Sequence, residues 1–150
     1  MGDRRAVLDQ LNLVARDFDA TLAFYRRLGV DVPDAPASPD GIRHASVTLA
    51  NGFVLDIDSG ALARLYNAAW RRAEGSSRAL IGFSLPTRDA VDEAYADLTS
   101  AGYTGRQPPY DTFWGARYAV VADPDGNDVG IMSPVDDRRR SWPPKESPAP

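Results

Sequence analysis

Apolar and polar residues alternate along two neighbouring segments of the chain. In segment 42–49, alanine, valine and leucine at odd positions alternate with histidine, serine and threonine at even positions. Segment 53–58 alternates in the same way, and the sequence Ala50-Asn51-Gly52 lies between the two. A period of two residues is typical of a strand with one buried face, and an Asn-Gly pair between such strands favours a hairpin. The pattern therefore predicts two antiparallel strands here.

Three other segments have apolar residues at helical spacing. They are 17–28, 61–74 and 87–101, each with an apolar stripe recurring every three or four residues. Asp17 and Thr87 stand at the starts of the first and third and are suitable N-caps, and a glycine follows each of these two helices. We predict three helices with these bounds.

The predicted elements repeat along the chain. A strand over 7–16 precedes the first helix, and a strand over 79–85 precedes the third. Similar strand–helix units thus open two halves of about 7–60 and 79–135, with 61–74 as a linking helix. Within the second half, apolar strands at 116–121 and 129–132 follow a loop that carries Tyr110, Phe113 and Trp114. We expect one domain over 1–135.

A tight turn separates the last two predicted strands. Its sequence is Asp123-Pro124-Asp125-Gly126-Asn127, in which proline presets φ, glycine accepts a positive φ, and Asp and Asn side chains bond nearby amides. The strand after it carries Gly130. From position 136 onward charge and proline dominate, which predicts a C-terminal tail over 136–150, anchored by Trp142 and otherwise loose.

Composition narrows the class of protein. The chain has 150 residues, 43% of them hydrophobic and 25% charged, which suits one globular domain with a core. It has no cysteine, and its net charge of −4 argues against general nucleic-acid binding. No apolar run approaches the roughly 20 residues that span a bilayer. One lysine among 17 basic residues indicates a GC-rich bacterial genome, and we expect a cytoplasmic protein without membrane or nucleic-acid partners.

Two motifs together resemble one superfamily. They are the opening sequence from Asp17 to Gly29, DFDATLAFYRRLG, and the Asp-Pro-Asp-Gly-Asn turn. With the two similar halves, they resemble the vicinal oxygen chelate superfamily, which includes glyoxalase I, extradiol dioxygenases, fosfomycin-resistance transferases and bleomycin-resistance proteins. The resemblance covers about residues 7–135. It implies an α+β fold in which two βαβββ modules form a curved mixed sheet around a cup for a small molecule, often in a homodimer.

The resemblance also implies where a metal ion would bind. In metal-dependent members four strand positions point ligands into the cup, and here they correspond to Gln10, Asp56, Leu80 and Gly130. Leucine and glycine offer no metal-binding atom, and catalytic metal sites usually need at least three protein ligands. A site of two histidines and one carboxylate is unavailable because His44 is the only histidine. We therefore expect no metal and no other cofactor.

Ligand-binding candidates follow from strand parity and from the aromatic residues. Parity places Gln10, Asn12, Asp56 and Met132 on the cup face. Among the aromatic residues, Tyr66 and Trp70 on the linking helix and Phe113 and Trp114 on the later loop suit a flat or apolar ligand. For the helix pair, core packing is the more common alternative. For Phe113 and Trp114, we expect lining of the cup or contact across a dimer about as often as ordinary packing.

Three charged or titratable residues are the remaining candidates. Histidine is the side chain whose ordinary pKa lies nearest neutral pH, so His44 is a candidate, although a lone histidine on a strand is more often structural. Asp56, with its neighbour Asp58, could act as a base or attract a cation, but two close carboxylates can also be a solvated edge. Arg117 could bind an anionic group or neutralise Asp56. Asp56 and His44 are the candidate catalytic residues.

Three functions compete at this point. The leading hypothesis is metal-independent binding of an aromatic or amphipathic molecule, as in drug-sequestering bleomycin-resistance proteins that protect against an antibiotic. The second is a glyoxalase-like isomerase or lyase that uses Gln10 and Asp56 with a weakly bound metal, or Asp56 and His44 without one. The third is a non-catalytic dimeric interaction module. A cup packed shut by its own side chains would favour the third.

Overall fold

The protein has an α+β fold, as the sequence predicted. The computed structural model describes residues 8–75 and 79–141. The chain divides into two compact units, Met1–Ala73 and Glu74–Pro150. The expected anchor Trp142 lies outside the described residues. No helix in the described part of the chain is long and apolar enough to cross a membrane.

The first unit contains a three-stranded sheet and two helices. Its elements are β1 (Gln10–Ala15), α1 (Phe18–Leu28), β2 (His44–Thr48), β3 (Val54–Ser59) and α2 (Gly60–Tyr66). The strand order is β1-β3-β2, with β1 parallel and β2 antiparallel to β3. The buried Phe24 and Tyr25 of α1 form an edge-to-face pair, and α1 packs against β3.

The second unit contains a four-stranded sheet and one long helix. Its elements are β4 (Leu80–Ser84), α3 (Arg88–Ser100), β5 (Gly105–Asp111), β6 (Arg117–Ala122), β7 (Asp128–Met132) and a single 3₁₀ turn (Asp137–Arg139). The order is β4-β7-β6-β5, with β4 parallel to β7 and the other pairs antiparallel. Val91 and Leu98 of α3 are fully buried on the side where the helix packs against β5, β6 and β7.

The predicted caps and the predicted turn form as expected. The Asp17 side chain accepts a hydrogen bond from the Ala20 amide at 3.0 Å, and Thr87 caps α3 in the same way. In the turn between β6 and β7, the Asp123 carboxylate accepts bonds from the amides of Asp125 and Asn127, both at 2.9 Å. These side chains satisfy backbone donors that the helix starts and the turn leave free.

Two predicted elements were wrong in their extent. The segment expected to be a loop contains strand β5, which includes Pro108 and Pro109. Proline is tolerated because β5 is an edge strand and its pairing with β6 shifts register twice. The linking helix ends at Tyr66 instead of 74, because the Asn67 side chain accepts a bond from the Ala69 amide and competes with further helix.

Each half contains a mixed sheet, in agreement with the expected fold class. The described strands form a three-stranded sheet in the first unit and a four-stranded sheet in the second. The first module has the order βαββ, since 29–43 contains no strand, and only the second is βαβββ. The start of the expected tail is fixed in the second unit, because the Asp136 amide donates to the Gly115 carbonyl at 3.0 Å and the Ser141 amide donates to the Phe113 carbonyl at 2.9 Å.

Candidate ligand-binding site

The second unit has a concave apolar pocket on one face of its sheet. The pairing of Gly82 with Gly130, and of Ser84 with Met132, brings four small or apolar residues of β4 and β7 together on this face. The pocket has a volume of about 370 Å³. We call it the aromatic pocket, and its lining residues are Leu80, Gly82, Phe83, Ser84, Trp114, Tyr118, Gly130 and Met132.

Aromatic rings form one wall of the aromatic pocket. Trp114 and Tyr118 meet edge to face with ring centroids 5.7 Å apart, and Phe113 meets Trp114 at 5.1 Å. The Trp114 indole N–H points to the Met132 sulfur at 3.4 Å. Burial raises the pKa of the Tyr118 hydroxyl, so this wall is uncharged at neutral pH. The wall offers flat, rigid apolar surface to a ligand.

The Tyr118 side chain closely approaches Gly130. A Cβ at this position would lie 2.7 Å from the Tyr118 hydroxyl oxygen and 2.8 Å from Leu80 Cδ2. The space that a side chain at 130 would need is therefore occupied by the wall of the pocket. In contrast, a Cβ at Gly82 would meet no atom within 4 Å. The two paired glycines thus have different roles, one making room for a ring and the other leaving the pocket open.

The first unit carries a polar cluster on one face of its own sheet. Its centre is Asp58, which is fully buried. One carboxylate oxygen lies 2.7 Å from His44 Nδ1, and the other accepts bonds from Asn12 Nδ2 at 2.9 Å and from the Tyr66 hydroxyl at 3.0 Å. We call this set of Asn12, His44, Asp56, Asp58 and Tyr66 the Asp58 cluster.

Asp56 lies beside Asp58 and is less fully bonded. It is 6% exposed, and its Oδ2 accepts a long bond of 3.3 Å from Asn12 Nδ2. Its Oδ1 is buried without a hydrogen-bond partner. Asn12 in turn accepts a bond of 2.7 Å from the Gln10 amide. The register of β1, β2 and β3 therefore brings the predicted residues Gln10, Asn12, Asp56 and His44 onto one face.

The two other aromatic candidates, Tyr66 and Trp70, lie in different surroundings. Tyr66 is 55% exposed, so the alternative that it packs in the core was wrong. Its partial burial, its bond to Asp58 and the nearby carboxylates raise its pKa to about 12. Trp70 lies beyond the end of α2, where its ring contacts Gly60 and the guanidinium groups of Arg64 and Arg72.

Acidic side chains of the second unit surround Arg117. Its guanidinium donates to Asp92 on α3 at 2.8 Å and to Asp111 at 3.2 Å, and these bonds keep its pKa above the usual value. The neighbouring Tyr118 lines the pocket, so strand alternation turns Arg117 toward the helix face. Two acidic partners within the second unit therefore hold Arg117, and the roles suggested for it, binding an anionic group or neutralising Asp56, stay predictions.

The residues at the four metal positions do not fit a metal ion. Leu80 and Gly130 carry no donor atom, and the Gln10 amide is bonded to Asn12. Within residues 8–75 and 79–141, no three His, Asp or Glu side chains stand close enough together to hold an ion. A divalent ion needs at least three such ligands in good geometry, and the described side chains do not supply them.

Sequence reasoning missed two residues that organise these sites. Strand parity placed Asp58 on the cup face beside Asp56, but its pairing with His44 across the predicted hairpin was not used. Tyr118 was not named, because its role depends on the exact register that sets it opposite Met132 and beside Gly130. Register is fixed by tertiary pairing and is not visible in a single strand's pattern.

Comparison with known families agrees with the fold. Residues 7–131 match the family model described as the Glyoxalase/Bleomycin resistance protein/Dioxygenase superfamily. The chain belongs to this superfamily. No curated protein matched the sequence.

Solved structures of the superfamily share the fold at low sequence identity. A glyoxalase/bleomycin resistance protein/dioxygenase family enzyme from Burkholderia phytofirmans PsJN is 24% identical, with a TM-score of 0.68 over 85% of this chain and 98% of that one. A protein of the same description from Nocardioides is 22% identical, with a TM-score of 0.67 over 90% and 87%. A glyoxalase-related enzyme from Fulvimarina pelagi is 19% identical, with a TM-score of 0.69 over 85% and 88%.

Proposed function

We propose that this member of the superfamily binds a small aromatic or amphipathic molecule in the aromatic pocket, without a metal ion. The observation that carries the proposal is the open, aromatic-walled pocket of about 370 Å³ at paired glycines of β4 and β7. This volume falls in the range of small-molecule sites, roughly 300–1,000 Å³. The aromatic pocket is open. This favours a binding protein over an interaction module, for which we expected a cup packed shut by its own side chains.

The lining supports an apolar ligand with a flat part. Trp114 and Tyr118 offer ring edges and faces, while Leu80 and Met132 supply aliphatic contacts. One aromatic contact is worth roughly 0.5–1.5 kcal/mol beyond the area buried. The polar groups of the lining are the Ser84 hydroxyl, the Tyr118 hydroxyl and the Trp114 N–H. So few polar groups suit an amphipathic ligand that itself has few of them.

The family description suggests a physiological role. The superfamily description includes bleomycin resistance proteins. By analogy with them, we propose that the protein sequesters a drug-like compound in the bacterial cytoplasm and protects against it as an antibiotic, and that it acts as a homodimer. Growth of cells with and without the gene on a panel of aromatic antibiotics tests the role. Sedimentation of the purified protein tests the dimer.

A fluorescent titration tests the pocket. N-phenyl-1-naphthylamine is a small uncharged aromatic probe whose fluorescence rises in an apolar site. We expect saturable binding at one site, and Gly82→Val should weaken it at least about tenfold, or ~1.4 kcal/mol. A Cβ at Gly82 would meet no atom within 4 Å, and Gly82 lines the pocket, so the larger side chain would take up pocket space. Ala96→Leu, an apolar addition at an exposed position on α3, is the matched control and should leave the affinity unchanged.

Two results would contradict the proposal. One is the absence of saturable probe binding to the folded protein. The other is equal affinity of the wild type and the Gly82→Val variant, because a probe in the aromatic pocket must compete with the added side chain for the same space.

A further inference from the structure

Met132 places a thioether sulfur on the wall of the aromatic pocket. It is the last residue of β7, it lines the open space, and it is only partly buried. The chain contains no cysteine and one other methionine, Met1. Sulfur is the group that mild peroxides oxidise in proteins, and without a thiol the methionines are the targets. The aromatic pocket therefore contains an oxidisable group that a small oxidant can reach.

The Trp114 indole holds this sulfur from one side. Its N–H lies 3.4 Å from the Met132 sulfur, and the indole is itself in edge-to-face contact with Phe113 and Tyr118. A thioether sulfur has two lone pairs and accepts hydrogen bonds weakly. One lone pair is therefore directed at the indole N–H, and the other is left for a molecule that enters from the pocket.

We propose that Met132 is a modification site, oxidised to the sulfoxide by hydrogen peroxide, and that the sulfoxide weakens binding of apolar ligands in the aromatic pocket. The sulfur lone pair attacks one peroxide oxygen, so the S–O bond forms as the O–O bond breaks. The departing hydroxide takes the proton of the transferred oxygen and leaves as water. Sulfur loses two electrons and the peroxide gains them.

The added oxygen matters because the lining around Met132 is mostly apolar. An apolar ligand in contact with the S–O group would remove water from it without replacing the lost hydrogen bonds, which costs free energy. The modification also replaces a flexible apolar side chain by a polar, chiral one. This regulation of binding rests on the proposed function, whereas the oxidation of Met132 does not require a ligand.

The indole contact predicts which sulfoxide forms. Oxidation makes the sulfur a stereocentre, and each of the two epimers is reduced by a different methionine sulfoxide reductase. Because the Trp114 N–H covers one lone pair, the folded protein should form mainly one epimer. A methionine that is simply exposed to solvent should form both in similar amounts.

Peroxide treatment of the folded full chain tests the site. The protein is oxidised in the same tube as N-acetylmethionine amide, and peptide mass spectrometry separates oxygen added at Met132 from oxygen added at Met1. The two stereospecific reductases, applied to the peptides, report the epimers. We expect complete oxidation of Met132 with one epimer dominant. The wild-type chain oxidised in urea, and the folded Trp114→Phe variant, should give both epimers.

Probe binding tests the consequence for the pocket. After the peroxide is removed, the oxidised protein should bind N-phenyl-1-naphthylamine about tenfold more weakly than the untreated protein. Met132→Leu, which has a side chain of similar volume and no sulfur, is the matched control. Its affinity after peroxide treatment should equal its own affinity before treatment. Bound probe should also slow the oxidation of Met132 in the wild type, because it covers the sulfur.

Three results would overturn the inference. They are a Met132 that stays reduced when the free amide is fully oxidised, equal amounts of the two epimers from the folded wild type, and an unchanged probe affinity after complete oxidation at Met132. Absence of probe binding to the untreated protein would instead overturn the proposed function, and with it the regulation, while the epimer ratio would still decide whether Met132 is the modification site.

Discussion

Gly130 shows how one residue shapes the aromatic pocket. Its lack of a side chain lets the Tyr118 ring lie beside β7, with the hydroxyl oxygen 2.7 Å from where a Cβ would stand. The same absence removes a metal-binding position that the resemblance implied. The missing side chain at position 130 therefore both removes a possible metal-ligand atom and makes room for the aromatic wall.

The two paired glycines give the first prediction. Gly130→Ala should lower the free energy of unfolding by about 1 kcal/mol, because the ends of the Tyr118 and Leu80 side chains must move away from the added methyl group. Gly82→Ala meets no atom and should stay within about 0.5 kcal/mol of the wild type. Urea unfolding curves measure both. Equal stability of the two variants would contradict this account of the pocket wall.

Tyr66 gives a prediction about alkaline pH. Its pKa is raised from 10.0 to about 12 in the folded protein, so the native state holds this proton more tightly than the unfolded chain. Its contribution to stability is therefore complete below pH 10 and is lost as the pH rises to about 12. In an ultraviolet titration, the difference between the wild type and Tyr66→Phe should have its midpoint near 12. A midpoint near 10 would show that the bond to Asp58 is absent.

The individual elements were predicted well where side chains decide them locally. Asp17 and Thr87 cap their helices as the sequence indicated, since a cap depends on residues within one turn. The linking helix was overextended because its apolar spacing continues past Asn67, whose side chain ends it. Strand β5 was missed because two prolines hide an edge strand, and the fact that β5 is an edge is known only once the sheet is assembled.

The start of the C-terminal segment gives a prediction at this scale. Gly115 has a φ of +95°, and a Cβ there would overlap the backbone carbonyl of Asp136, whereas Gly126 has a φ of +83° with open space around it. Gly115→Ala should therefore cost about 3 kcal/mol and Gly126→Ala about 1 kcal/mol, the latter from backbone strain alone. Thermal unfolding with amide exchange at Ser141 checks this. Equal losses in the two variants would mean that the segment does not dock on this turn.

For the whole molecule, the superfamily and its α+β class were predictable from motifs, and the site only in part. His44, Asp56 and Asn12 fall on one face because a period of two residues fixes parity. Arg117 donates to Asp92 on α3, a partner that is distant in sequence and that the strand pattern alone does not indicate. Asp58 gained its importance from three partners that are distant in sequence, at positions 12, 44 and 66.

Metal independence is a prediction for the molecule as a whole. Two of the four implied positions lack donor atoms, and among the described residues no three acidic or histidine side chains are arranged so that they could hold an ion. Dialysis against a chelator should leave the thermal midpoint and the naphthylamine affinity unchanged. Added Zn²⁺ or Ni²⁺ should not raise the midpoint. A stoichiometric, saturable rise of the midpoint with either ion would contradict it.

Mapping of bound probe by amide chemical shifts tests the central claim most directly. N-phenyl-1-naphthylamine added to ¹⁵N-labelled protein should perturb amides of β4, β6 and β7 around Leu80, Tyr118 and Gly130, and the Trp114 indole signal should move with them. The shifts should saturate together with one dissociation constant. Shifts that are absent, scattered without saturation, or confined to residues outside the aromatic pocket would contradict the claim that this pocket receives the ligand.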